Sequence, residues 1–362
     1  MGNGLTNRLD NQADINQIDS GNSFSSVRLL SNQISQTWQE ISLFPLIVSA
    51  PVSSVYFCAM GGSAYAGRII KSLFYNSLKI PVEIVDSYQL PQSVNKGSLI
   101  ICASYSGDTE ETISCCRQAL SKNLPLIGVS QGGQLTRLLK QNRKPVFNFT
   151  QKFNPSRQPR LGQGYMIVSQ LGILSKLRLI DLDDDDMDKI VVFLNKRNTQ
   201  LDVKMAVSSN QAKKLAIIFS DKIVNLIASE FLSGSLHAIR NPLNETGKHF
   251  ANYFVLPELN HHLLEGLEYP EILRPNALFA FIDTPFYSSP VKKRMAITRE
   301  VLGKIGLKYL TVNLRGESLL EEVFELLQLF SFVSFYLAVL HRVNPTPVPW
   351  VDYFKKRLSA KG

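Results

Sequence analysis

Residues Ile101–Thr112 read I-C-A-S-Y-S-G-D-T-E-E-T, and the fold turns on how this stretch divides. An apolar run from Leu99 to Ala103 breaks into Ser104, Tyr105, Ser106, Gly107, Asp108 and Thr109. Helix formers follow, with Glu110 and Glu111 in the first turn. The pattern predicts a buried strand, a hydroxyl-rich turn and a helix start. Unpaired backbone N–H groups and the positive end of the macrodipole favour an anion at such a turn. Ser104, Ser106 and Thr109 add three short hydroxyls without bulk, which suits a phosphate monoester. Taken alone, the stretch is equally an ordinary helix cap.

A second turn of the same build lies upstream. Val55 to Met60 forms an apolar strand, then come Gly61, Gly62 and Ser63, and then a helix from Ala64 to about Ser77. Two strand–turn–helix units in one parallel sheet bring two helix N-termini to the same carboxyl edge, where open α/β sheets bind ligands. Further strands are expected at Val82–Val85, Leu124–Val129 and Val146–Phe149, with helices at Thr109–Lys122 and about Gln134–Gln141. This alternation is a doubly wound parallel sheet with helices on both faces.

Outward from this unit, an amphipathic helix leads in over Val27–Ser42, and the polar composition of residues 1–26 suggests a disordered tail. A polar, basic loop at 151–164 precedes a helix from Tyr165 to Leu177. Asp181–Asp188 holds six acids in eight residues and reads as a solvated loop or helix cap. Carboxylates in a row cannot all turn to one ion, so no metal site is expected there. The domain boundary falls here, giving a first domain over 27–183 and a second over 184–362, the latter opening with a bridging helix through 184–208. In the second half, strands are expected at Lys214–Ser220, Tyr253–Leu256, Ala277–Ile282 and Tyr309–Val312. Helices are expected at Ile223–Arg240, Ser289–Ile305, Ser318–Arg342 and Trp350–Leu358.

Composition narrows the classes. With 362 residues there is room for two full cores. The net charge of +9 is scattered, with no aromatic-interleaved basic strip, so an anionic small substrate fits better than nucleic acid. Leu326–Leu340 is too short to span a bilayer and reads as a buried helix rather than a membrane anchor. Cys58, Cys102, Cys115 and Cys116 show no paired C-x-x-C, which favours reduced core thiols of a cytoplasmic protein.

The glycine turn followed by S-Y-S-G-D-T-E-E-T resembles the sugar isomerase (SIS) domain, which binds phosphorylated sugars. Later segments resemble one tandem-SIS group, the bifunctional phosphoglucose/phosphomannose isomerases: Pro159-Arg160 with Gly162 and Gly164-Tyr165, then Asn241–Glu245 with Lys248. Glu258-Leu259-Asn260-His261 follows, and finally Pro345-Thr346 running on to Phe354-Lys355. The resemblance implies two SIS-type domains, each a three-layer αβα sandwich. It also implies an aldose–ketose isomerase that works on glucose, mannose and fructose 6-phosphates through a cis-enediol, with no cofactor and no metal.

By the same resemblance, Gly61, Gly62, Ser63, Ser104, Ser106 and Thr109 bind the phosphate and Glu245 is the base. His261, rather than the adjacent His262, opens the ring, Arg160 steadies the enediolate, and Lys355 assists near the ring oxygen or phosphate. Thr346 helps admit both C2 epimers. A homodimer, with His261 reaching across the interface, is implied too. The chain departs from the family pattern at Ala64-Tyr65 after the glycine turn, at His262-Leu263, and at Asn344. The competing reading is a non-catalytic sugar-phosphate sensor. An amidotransferase-type synthase would need an N-terminal nucleophile domain, and no cysteine precedes the first strand.

Overall fold

The computed structural model describes residues 2–46 and 51–359. Five strands form the first sheet: β1 (Ser54–Ala59), β2 (Val82–Val85), β3 (Ser98–Ala103), β4 (Leu126–Ser130) and β5 (Val146–Asn148). All are parallel, in the order β2-β1-β3-β4-β5. Every residue of β1, β3 and β4 is buried, as expected of strands covered on both faces. The second sheet holds β6 (Ile223–Ser229), β7 (Ala251–Leu256), β8 (Ala277–Asp283) and β9 (Lys308–Asn313), again all parallel, in the order β7-β6-β8-β9. One continuous apolar core runs through both halves, and a smaller one fills the face of the first sheet that carries all four cysteines. Those cysteines are buried and free.

The helix Leu319–His341 is long and apolar enough to cross a bilayer, but its apolar window is wholly buried, so it is a core helix. Helix Asp184–Leu201 packs against both Leu30–Leu43 and Leu319–His341 and bridges the halves. Its acid run is a cap: Asp183 and Asp186 form a reciprocal capping box.

Two expectations need correction. Residues 214–220 are not a strand but part of helix Gln211–Phe219, capped by the Asn210 side chain, which accepts from the Lys213 N–H. The strand is instead Ile223–Ser229, and the helix after it is Ser233–Glu245. A short apolar run such as L-A-I-I-F is ambiguous by periodicity, and the Asn cap was the deciding signal. Nor are residues 2–26 a disordered tail. They form helices Gly2–Asp10, Gln12–Ile18 and Ser23–Arg28, with Leu9 and Ile15 buried. Arg8 donates to the Leu340 carbonyl, and Asp10 pairs at 2.8 Å with Lys213, whose side chain is fully buried. A few apolar residues among many polar ones suffice when the rest of the fold supplies the partner surface.

One packing contact decides where the site lies. Helices Tyr65–Leu73 and Ser233–Glu245 lie antiparallel across the domain junction. Tyr65 sits against His237 at one end, and at the other Ser72 donates to the Phe231 carbonyl and accepts from the Gly234 N–H. Gly234 permits the approach, since a Cβ there would lie 2.1 Å from the Arg68 carbonyl oxygen. The start of the first-domain helix, just past the glycine turn, therefore meets the end of the second-domain helix at Glu245.

Candidate active site

The two turns expected to hold the phosphate are joined. Ser63 Oγ accepts from the Tyr105 N–H at 3.1 Å, and Ser104 Oγ accepts from the Gly107 N–H at 3.0 Å while contacting Thr109 Oγ1 at 2.8 Å. Ser106 Oγ, on the exposed rim, accepts from the Asp108 N–H. Gly107 is required here: its φ is +81°, and a Cβ would fall 1.9 Å from the Gly132 carbonyl oxygen. The Asp108 carboxylate is turned aside to accept from the Gln134 N–H at the next helix start. Gly61 has φ +50° and opens onto free space. The result is a cradle of small hydroxyls and helix-start amides, with the nearest acid held away.

Arg160 stands on the turn Pro159–Leu161 and is 4 % exposed. Its guanidinium donates through Nε to Thr246 Oγ1 at 3.0 Å, to Gln158 Oε1 at 2.9 Å, and to the Pro345 and Thr346 carbonyls at 2.8 and 2.6 Å. This fixed fork is tied to the residue after Glu245 and to the segment before the last helix. Only arginine has the donors for it. Burial lowers its pKa, and Glu245 opposes that fall.

Glu245 ends its helix, at the negative end of the dipole. Burial raises its carboxyl pKa, while Arg160, Lys248, Lys355 and Arg240 pull it back. A carboxylate balanced in this way suits a general base. Lys248 donates to the Glu245 and Pro347 carbonyls. Burial, with Arg160 adding to it and Glu245 resisting, brings its ammonium down to about 8. Lys355 lies on the exposed helix Pro349–Ser359, within electrostatic reach of Glu245.

The structure thus brings Arg160, Glu245 and Lys355 together. Thr346 joins them through its carbonyl, because its hydroxyl is engaged by Ser23 Oγ at 2.8 Å. His261 is elsewhere, on the exposed turn Glu258–His261 beyond edge strand β7. Its neighbour His262 contacts Glu258 at 2.9 Å, and Asn260 is anchored on Thr298. Sequence reasoning did not single out Thr246, Gln158 or Ser23, whose roles depend on contacts between distant segments. Lys248, three residues after Glu245, was visible as part of that segment.

Two parallel α/β domains, a hydroxyl-lined cradle of helix-start turns on the first, and a second-domain glutamate within electrostatic reach of a buried arginine make a tandem SIS-type fold. Residues 208–358 match the model of the bacterial phospho-glucose isomerase C-terminal SIS domain. Among curated proteins, the bifunctional phosphoglucose/phosphomannose isomerase of Caldicellulosiruptor bescii is 29 % identical over 342 residues, covering 93 % of this chain and 98 % of that protein. The one from Aquifex aeolicus is 28 % identical, covering 85 % and 91 %. The chain is a homologue of the bifunctional phosphoglucose/phosphomannose isomerases. Among solved structures, a hypothetical protein from Thermus thermophilus superposes with a TM-score of 0.75 at 16 % identity, over 99 % of this chain and 95 % of that one. The C-terminal domain of glucosamine-fructose-6-phosphate aminotransferase from Francisella tularensis gives 0.62 at 14 % identity, over 88 % and 94 %.

Proposed function

We propose that the protein is an aldose–ketose isomerase interconverting glucose 6-phosphate and mannose 6-phosphate with fructose 6-phosphate. The observation that carries this reading is the meeting of Glu245 with the buried guanidinium of Arg160, at the helix junction that starts from the phosphate turns. The phosphate is held by the amides and hydroxyls of Gly61–Ser63, Ser104, Ser106 and Thr109. Glu245 takes the C2 proton of the open-chain aldose and returns it to C1, giving the ketose. Proton abstraction leaves negative charge on the enediol oxygens, which the rigid guanidinium of Arg160 stabilises without reorganising. With Glu245 on one side, turning the planar enediol about C2–C3 presents either face of C2 to the returning proton and yields either epimer, and Thr346 belongs to the region that admits both.

Ring opening needs an acid at the ring oxygen. His261, exposed beyond β7, supplies it in a homodimer from the partner subunit, and Lys355 assists from the last helix. None of these steps calls on a metal or cofactor. The four free thiols suit a reducing compartment, and a cytoplasmic setting belongs to the same proposal.

Proton NMR of fructose 6-phosphate with the purified protein and a chelator tests the reading. Both glucose and mannose 6-phosphate are expected, and Glu245→Gln lowers kcat by about a thousandfold. Saturable binding without either product makes the protein a sensor. Full turnover by the Gln variant removes Glu245 from the mechanism.

A further inference from the structure

Tyr65 stands where the resemblance leads one to expect no aromatic residue, and it is fully buried. Its ring lies edge-on to His237, with centroids 5.9 Å apart, and its hydroxyl reaches beneath the glycine turn, 3.9 Å from where a Cβ on Gly62 would be. Glu245 and Arg240 of the second domain, with Arg160 from the first-domain loop, lie within electrostatic reach of that hydroxyl, and the Asn241 amide is near enough to donate to it. Yet among the described residues no acceptor is in place for the Tyr65 phenolic proton. A buried donor left unpaired is costly, and phenylalanine would avoid the cost.

The neighbours narrow what it serves. Asn241 Oδ1 already accepts from Arg240 Nε at 2.8 Å, and the Asn241 amide nitrogen faces His237 at 3.4 Å. That amide nitrogen, like arginine, offers only donors. The acceptor that remains for the phenolic proton is the Glu245 carboxylate.

We propose that Tyr65 is a positioning residue for the base, its hydroxyl donating to the Glu245 carboxylate and so linking the phosphate turn to the proton-transfer step. Rotation of the Glu245 side chain completes the bond. A phenol is donor and acceptor at once. It therefore donates to Glu245 when the base is ionised, and accepts from the carboxylic acid once the substrate proton has been taken. Arg160 and the other cations around Glu245 can serve only the ionised form. This inference rests on Glu245 being the base.

The test is Tyr65→Phe, which keeps the ring and removes the donor. Glu245 is faced by Arg160, Lys248, Lys355 and Arg240 as well as Tyr65, and those cations are untouched by the change. Carbon-13 NMR of glutamate-labelled protein follows the Glu245 carboxyl, identified by its loss in Glu245→Gln. Loss of a hydrogen bond to the ionised form moves its titration up by about one pH unit in Y65F. In the isomerase assay, kcat falls about tenfold with the acid limb moved the same way and KM for fructose 6-phosphate little changed. Tyr65→Leu controls for packing: a purely structural Tyr65 leaves Y65F like wild type and harms only Y65L. An unaltered Glu245 titration in Y65F overturns the proposal whatever the turnover. Absence of turnover in the wild type overturns the functional reading instead, and the titration still decides the role of Tyr65.

Discussion

Arg160 makes four hydrogen bonds to acceptors drawn from three separate stretches of chain. No lysine can repeat that pattern, because an ammonium is a single flexible point charge. Arg160→Lys therefore keeps the charge beside Glu245 and loses the fixed fork. Steady-state kinetics of R160K should show kcat lower by about a hundredfold with a smaller change in KM, since in the proposed mechanism the guanidinium is needed most when charge develops on the enediol. A variant retaining more than half the wild-type kcat would mean that charge alone, and not its placement, is used. At this scale the candidate site was legible where its residues stand in local strings, as Ser104, Thr109, Arg160 and Glu245 do. Tyr65 and Ser23 were not legible in the same way. Each acquires its meaning from a residue more than a hundred positions away, and no local pattern announces such a contact.

Among the elements, the helix Leu319–His341 carries an electrostatic cost. Glu322 is buried in its first turn, and neither carboxylate oxygen is hydrogen-bonded among the described residues. Burial, offset in part by Thr284 and reinforced by Glu325 and Asp283, pushes its carboxyl up to about 7. The folded chain therefore holds this proton more tightly than the unfolded chain, whose glutamate titrates near 4.3. Stability falls as pH rises between those two values, and the full penalty, on the order of 3 kcal/mol, stands above pH 7. Glu322→Gln removes the charge. Its melting temperature should exceed that of the wild type by several degrees at pH 8 and match it at pH 4, where the wild-type carboxyl is neutral too. Equal melting temperatures at pH 8 would show that the carboxylate is relieved in some other way. Element types were mostly plain from the sequence: β1, β3, β8 and the helix Ser289–Ile305 fall within a residue or two of expectation. The exchange of strand and helix around Ile223 has a definite cause. L-A-I-I-F and I-V-N-L-I-A are equally apolar, and only the Asn210 cap and the β-branched start of the second run tell them apart.

For the whole molecule, the N-terminal helices are part of the fold rather than an appendage. Asp10 is the carboxylate partner of Lys213, a fully buried ammonium that also donates to the Val203 carbonyl. Asp10→Asn leaves that cation without a counter-charge, and the expected loss is roughly 3 kcal/mol in urea unfolding. A loss below about 0.5 kcal/mol, the range of an ordinary surface change, would return this segment to the status of a tail. The polar composition of residues 1–26 hid this role, because the segment contributes only a few apolar side chains and the charged groups of Arg8 and Asp10 to surfaces that helices Gln211–Phe219 and Leu319–His341 provide.

The reach of Arg160 also bears on how the protein is made. The first sheet and the two turns proposed to hold the phosphate lie wholly within the residues up to β5. The carbonyls that hold the guanidinium belong to Pro345 and Thr346, nearly two hundred residues later. A chain cut before residue 345 would leave Arg160 without those two acceptors, which take two of its four hydrogen bonds. Interrupted translation or proteolytic clipping at that point would leave unanchored the guanidinium proposed to steady the enediolate.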